Sequence, residues 1–546
     1  MASHDLDMTS IEAAAAWSES FIEAKDKFEK AASDAGFTVM RQPLPMATDS
    51  RDSLEWEESA DFASHMHISL AYRRGADLDA GAVPDSLLVL QSGVHGVEGF
   101  FGSAVQTAAL RNIAAGRMPH LLPGRRDMVL FVHCVNPFGM AMGRRYNELG
   151  VDLNRAAIDE DAFRQLIAAG IPKAYRTVYN IANPPFLPSD GCCEQSCLNL
   201  AIARTICCQG FSQVKAGLAT GHYVEPHTVQ YGGAGLQPSC RALIDALAAV
   251  GVLAALEDSP AEAGDVAVAG AAAGDGTPGD AKAPPAALPT AAPAGGGGGE
   301  QALVAASAAG GASGASKSGR ASARAGGEPS WPPEAAVGVA ALFMGRRGPR
   351  RVVMVDCHTG LGAPAQNSIL VADARSAARA RALLGVSPDE VALPGTKRVV
   401  QCPEETGGAG VAYRIIGDMK QLYQCLPGPK GYPRHEGAGE AIGAAAARAQ
   451  AFDGVAPSDR LVVSQEMGTV RATTVAKALR ADCALSRHFP PGPGRGGVVP
   501  REHPIRAEVR RCFNPPSLEW RLSVLESGLT LLSAMADEFH DGASSE

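Results

Sequence analysis

The chain reads as an α/β protein: a mixed, mostly parallel central sheet flanked by helices, with a long disordered insertion of low complexity. Three observations predict this. Short runs rich in Val and Leu recur along the chain, with the unbroken apolar character of strands buried on both faces. Segments with helical spacing lie between those runs, and such alternation favours parallel strands joined by helices. Residues 257–335 are mostly Ala, Gly, Pro and Ser, including the run Gly295 to Gly299. Such a stretch has little large side chain to bury and cannot offset its own ordering entropy.

The four clearest strand candidates are residues 87–91, 128–134, 352–357 and 461–465. Helical spacing fits residues 11–35, 102–115, 156–169, 240–256, 374–384, 440–451 and 518–539. His65 and His67 alternate within Ser64-His65-Met66-His67-Ile68 and so share one face of a half-buried strand. Residues 490–500, rich in Pro and Gly, read as a loop. The expected organisation is therefore a helical extension over residues 1–59 and the first half of a domain over 60–256. The insertion follows at 257–335, then the second half at 336–540 and a loose tail at 541–546.

Composition excludes several classes. A hydrophobic fraction of 46% over 546 residues supports a sizeable core. A net charge of −9, without a long basic stripe, argues against a nucleic-acid partner. No stretch reaches the ~18 uninterrupted apolar residues of a membrane span, so no membrane partner is expected. The N-terminal residues lack a basic segment followed by an apolar core, which makes a cytoplasmic protein the expectation. The cysteines Cys192, Cys193, Cys197, Cys207 and Cys208 match no common zinc spacing and read as free thiols or structural residues. No P-loop, dinucleotide fingerprint or G-x-S-x-G elbow occurs in its required setting.

The chemistry-bearing residues follow the apolar runs. After the first comes Gly93-Val94-His95-Gly96-Val97-Glu98-Gly99. An imidazole and a carboxylate three positions apart can converge on one side of a turn and hold a single metal ion. After the second come Asn136-Pro137-Phe138-Gly139, then Arg144-Arg145, then Asp152-Leu153-Asn154-Arg155. After the third comes Asp356-Cys357-His358-Thr359-Gly360-Leu361-Gly362, and after the fourth Gln465-Glu466-Met467-Gly468. In open α/β sheets ligands bind beyond the carboxyl ends of the strands, so these pieces belong to one shared site.

Together the motifs resemble the zinc metallocarboxypeptidase superfamily, in particular its poorly characterised branch with H-G-V-E-G and D-x-H-T-G-L-G motifs. The resemblance spans about residues 60–250 and 335–530. It implies one zinc ion bound by His95, Glu98 and His358. It also implies that Glu466 is the catalytic glutamate and that Arg145, with Arg144 as the alternative, polarises the scissile carbonyl. The N-P-x-G element of the superfamily falls on Asn136 to Gly139 and its D-x-N-R element on Asp152 to Arg155.

The chemistry accounts for these residue types. Three protein ligands leave zinc an open position for water, whose pKa drops to roughly 7. Glu466 takes the water proton and passes one to the leaving amine. Arg145 stabilises the developing oxyanion. Arg155, with Asn154 beside it and Arg144 nearby, offers donors for a substrate carboxylate. Asp356 lies two positions before His358 and can orient its imidazole. His222 and His227 receive no catalytic role.

The expectation is a zinc-dependent hydrolase that cleaves an amide, with a peptide or an N-acyl amino acid as substrate. A carboxypeptidase-like action on a free C-terminus leads. A deacylase of small N-acyl amino acids uses the same chemistry in a tighter pocket. A silent scaffold that keeps the fold but binds a partner is the reading from another class. The ligand set of two histidines and a carboxylate also occurs in non-haem iron sites.

Overall fold

A computed structural model describes residues 10–44, 64–188, 192–255, 339, 342–387, 398–406, 415, 417–430, 459–489 and 501–541. The expected insertion, the helix at 440–451, the loop at 490–500 and nearly all of the tail lie outside the described residues. The described part belongs to one compact unit.

Ten strands are described: β1 (Thr38–Pro43), β2 (His67–Arg74), β3 (Ser86–Ser92), β4 (Met128–His133), β5 (Ala254–Ala255), β6 (Arg346–Arg347), β7 (Arg351–Thr359), β8 (Asn367–Leu370), β9 (Arg398–Gln401) and β10 (Arg460–Met467). Eight form one sheet in the order β1-β2-β4-β3-β7-β10-β8-β9, and β5 pairs with β6. The four central strands β4, β3, β7 and β10 run parallel. Antiparallel pairs bring in β2 and β1 on one side and β8 on the other, and β9 lies parallel to β8. All four expected strands are present, as β3, β4, β7 and β10.

Every residue of those four strands is buried, which explains their continuous apolar runs. Alternation divides them between two cores. Leu88, Leu90, Val353, Val355, Leu461 and Val463 face one layer, built with Phe28, Phe100, Val105 and Leu529. Leu87, Val89, Val352, Met354 and Val462 face the other, built with Phe163, Leu243 and Leu422. The first layer holds the helices Phe21–Asp34, Gly99–Ala114 and Leu518–Asp541; the second holds Glu160–Ala169, Pro238–Ala249 and Lys420–Gln424. Each fully buried large apolar side chain contributes on the order of 1.5–3 kcal/mol, so this two-sided burial is the main force holding the sheet.

Several helices differ from the pattern. The span 11–35 divides into Ser10–Ala16 and Phe21–Asp34, because Ser20 caps a new start by accepting from the Glu23 amide at 3.2 Å. The span 156–169 begins only at Glu160, where Asp159 accepts from the Ala162 amide at 2.8 Å. The span 240–256 ends at Ala249, with Gly251 at φ +84 turning the chain into β5. The N-terminal extension carries more than helix, since β1 forms an edge of the main sheet. Among the described residues, no helix is long and apolar enough to cross a membrane.

Parity on the sheet prepares the site. Gln91, Asp356, His358, Ser464 and Glu466 share the face of Val89, Met354 and Val462, towards the carboxyl ends of β3, β7 and β10. Register places Gln91 opposite Asp356 and Glu466 opposite His358.

Candidate metal centre

His95 follows β3, and a single 3-10 turn, Gly96–Glu98, brings Glu98 back beside it. That turn packs hard against the next segment. A Cβ on Gly96 would sit 2.1 Å from the backbone carbon of Gly139, so only glycine fits there. His358 arrives near the end of β7.

The three side chains are almost wholly buried, and their ligand atoms all lie within 4.8 Å of one another. The His95 Nδ1 is 3.1 Å from Glu98 Oε1, the His358 Nδ1 is 3.0 Å from Glu98 Oε2, and the two Nδ1 atoms are 3.2 Å apart. Among the described residues this is the one group of His, Cys, Asp and Glu that can hold a metal ion. The described cysteines do not join it; Cys197, Cys207 and Cys208 are exposed.

Both histidines are oriented from behind. Asp152 Oδ1 lies 3.0 Å from His95 Nε2, and Asp356 Oδ2 lies 2.8 Å from His358 Nε2. A carboxylate at Nε2 fixes the proton there and leaves the Nδ1 lone pair facing the common centre. The partners are themselves held. The Asn154 amide donates to Asp152 Oδ1 at 3.0 Å, Gln91 Nε2 donates to Asp356 Oδ1 at 3.3 Å, and Tyr423 Oη donates to Gln91 Oε1 at 2.8 Å. The site thus satisfies the requirements of a metal centre on its own chemistry: two imidazole nitrogens and a carboxylate converging, with ordered carboxylates behind.

Arg145 bridges two of these acids, with Nη1 2.7 Å from Glu98 Oε1 and Nη2 3.4 Å from Asp152 Oδ2. Burial alone would raise the Glu98 carboxyl, but His95, Arg145 and His358 outweigh it and hold it below the usual carboxylate range. Burial likewise opposes the Asp152 anion, and Arg145, Arg155 and His95 overcome it. Glu466 behaves in the opposite way. Burial, reinforced by the Glu98 charge, pushes it up to about 8 against the pull of His358, Arg145 and Lys420. Its Oε2 is buried and has no hydrogen-bond partner among the described residues.

His95, Arg145, Asn154, Lys420 and Glu466 line one cleft. Leu370, Val475 and Phe513 supply part of its apolar wall. Arg144 and Arg155, the other expected substrate contacts, are not among its lining residues. Arg144 turns to Asp482 at 3.2 Å and to the Ser486 hydroxyl at 2.8 Å. Arg155 is 1% exposed; it reaches Asp152 at 3.3 Å and the Ala219 carbonyl at 2.8 Å. Its fork neutralises an internal acid instead of facing the cleft. The expected electrophile Arg145 and the expected contact Asn154 do line it. His222 is buried against Tyr175 and Thr228 and is not among the cleft-lining residues. Reading the sequence did not single out Gln91, Tyr423 or Lys420. A polar Gln91 ending an apolar strand was the one available signal.

Fold and site together define an α/β protein with a buried two-histidine, one-carboxylate centre at the carboxyl ends of its parallel strands. Residues 17–257 match the family model described as a protein of unknown function (DUF2817). The match takes in His95, Glu98, Arg145 and Asp152 to Arg155, and it stops before His358 and Glu466. No curated protein and no solved structure matches the chain.

Proposed function

We propose that this protein is a zinc-dependent hydrolase that cleaves an amide bond in a substrate carrying a free carboxylate, in the manner of a metallocarboxypeptidase. The observation that carries the reading is the placement of Glu466. A buried carboxylate whose Oε2 has no hydrogen-bond partner among the described residues stands on the strand next to His358, in register with it, and lines the same cleft as His95.

His95, Glu98 and His358 would hold the ion; mixed nitrogen and oxygen donors from two histidines and one glutamate suit zinc. When bound, the ion supplies a Lewis acid and lowers the pKa of a coordinated water to roughly 7. Glu466 accepts the proton of the attacking water at its carboxylate and returns one to the leaving amine. Arg145 lines the cleft and would stabilise the developing oxyanion, where fixed charge helps the transition state most. Asp152 and Asp356 keep both imidazoles aimed while charge shifts during the reaction.

A mixed library of peptides and N-acyl amino acids, followed by product mass, tests the reading. Zinc-loaded protein is expected to release C-terminal residues one at a time, and chelation should stop it. Release of acyl groups from small amides alone would place the activity with the deacylases. Products that are insensitive to chelation would refute the metal-dependent mechanism.

A further inference from the structure

We infer that Lys420 and Asn154 together anchor the substrate carboxylate, the task that the motif resemblance assigns to Arg155. The inference rests on the amide-hydrolase reading above. Both side chains line the cleft with His95 and Glu466, whereas Arg155 does not.

The hydrogen-bond inventory leaves donors in the right place. Lys420 Nζ lies 2.9 Å from Asp418 Oδ2 and 3.1 Å from Ser464 Oγ. An ammonium has three donors, so one remains. The Asn154 Oδ1 accepts from the Met419 amide at 3.0 Å, which sets the orientation of the side-chain amide and leaves its NH₂ group to donate. A cation and a neutral donor side by side match the two oxygens of a carboxylate.

The pair is also pre-positioned. Met419 immediately precedes Lys420, so its bond to Asn154 ties the two residues directly. A second strap joins the Ala157 amide to the Gly417 carbonyl at 3.0 Å. Gly417 sits at φ +69, and a Cβ there would lie 2.5 Å from the Arg155 carbonyl, so the two segments can approach only because it is glycine. Holding donors in place before binding reduces the ordering cost of capture. Asp418 is 2% exposed, whereas the Lys420 side chain is 14% exposed and is the member of the pair open to the cleft. Burial opposes its charge, but Asp418, and then Asp356 and Glu466, hold its pKa above the ordinary lysine value.

Spacing narrows the substrate class. Ser464 and Glu466 are two residues apart on β10 and therefore on one face, about 6.6 Å apart along the strand. The Lys420 ammonium, bound to Ser464 at 3.1 Å, thus stands on the same face of the sheet as the general base. That placement fits an amide whose leaving part carries the carboxylate.

The test is calorimetric and needs no turnover. Zinc-loaded Glu466→Gln protein is titrated with N-acetylphenylalanine and with N-acetylphenylalanine amide. The acid is expected to bind about 30-fold more tightly than the amide, the effect of one good desolvated charge pair. Adding Lys420→Met should abolish that preference while leaving zinc content and amide binding unchanged; Lys420→Arg should retain most of it. Adding Lys420→Met with Asp418→Asn avoids a stranded buried carboxylate and should give the same loss. An equal affinity for acid and amide in the parent, or an undiminished preference without Lys420, overturns the inference. A Lys420-dependent preference in a protein whose zinc-loaded wild type hydrolyses neither these amides nor peptides would keep the anchor and remove the hydrolase reading.

Discussion

Glu466 and His358 occupy paired positions on adjacent parallel strands, so the buried carboxylate and the candidate ligand imidazole are set side by side by backbone register. Neither depends on a loop for its placement. A base held on a strand keeps its geometry without further ordering, which is the condition under which proton transfer is efficient.

This arrangement predicts the behaviour of Glu466→Gln. The change keeps shape and removes basicity. Turnover is expected to fall by about 10²- to 10⁴-fold with zinc stoichiometry intact. Steady-state kinetics beside metal analysis checks it; a variant that retains full turnover would remove Glu466 from the reaction.

Asp356→Asn addresses the support behind His358. The Asp356 Oδ2 contact at 2.8 Å fixes the imidazole, and Gln91 and Tyr423 fix the carboxylate. An amide in its place should weaken zinc affinity by roughly 10- to 100-fold, measured by competition with a chelating dye. Tyr423→Phe, acting one step further back, should show a smaller loss in the same direction.

Arg145→Met separates binding from catalysis. On the proposed mechanism, loss of this cation should lower kcat by about 10²- to 10³-fold. Arg145→Lys should recover only part of that, because an ammonium cannot reproduce the fork that bridges Glu98 and Asp152. If the Met variant changes KM alone, Arg145 is a binding residue.

Acid should destabilise the fold through buried neutral histidines. Burial lowers His133, stacked on Phe28 with ring centroids 4.7 Å apart, from 6.5 to about 3. His222 and His227 are lowered to about 4. The unfolded chain gains these protons as pH falls through about 6.5 and the folded chain does not, so stability present above 6.5 is lost between there and 4. His133 alone contributes a slope of up to about 1.4 kcal/mol per pH unit. Thermal unfolding between pH 8 and 5 should show a falling Tm in the wild type and a shallower fall in His133→Gln. Equal slopes would refute the assignment.

How much of this was legible in the sequence follows from what each element depends on. The strands β3, β4, β7 and β10 were readable because burial on both faces forces long apolar runs. Strands β8 and β9 have only four residues each, and β1 is a partly exposed edge, so no such run marks them. His95, Glu98 and His358 were readable because their spacing and flanking glycines repeat a known pattern. The bond from Arg155 to Asp152 was not readable, because an arginine in a motif looks the same whichever acid it meets. Gln91 and Tyr423 act through register between distant strands and helices, and Lys420 lies in a segment without a motif. Such roles exist only once the sheet has assembled.

The most direct measurement is a crystal structure of the zinc-soaked protein with anomalous data collected at the zinc edge. One peak is expected among His95, Glu98 and His358, bonded through both Nδ1 atoms at about 2.0–2.1 Å and a Glu98 oxygen. Both Nε2 atoms should keep their bonds to Asp152 and Asp356, and Glu466 should remain free of the metal. No peak there, coordination through Nε2, or Glu466 recruited as a ligand would contradict this expectation.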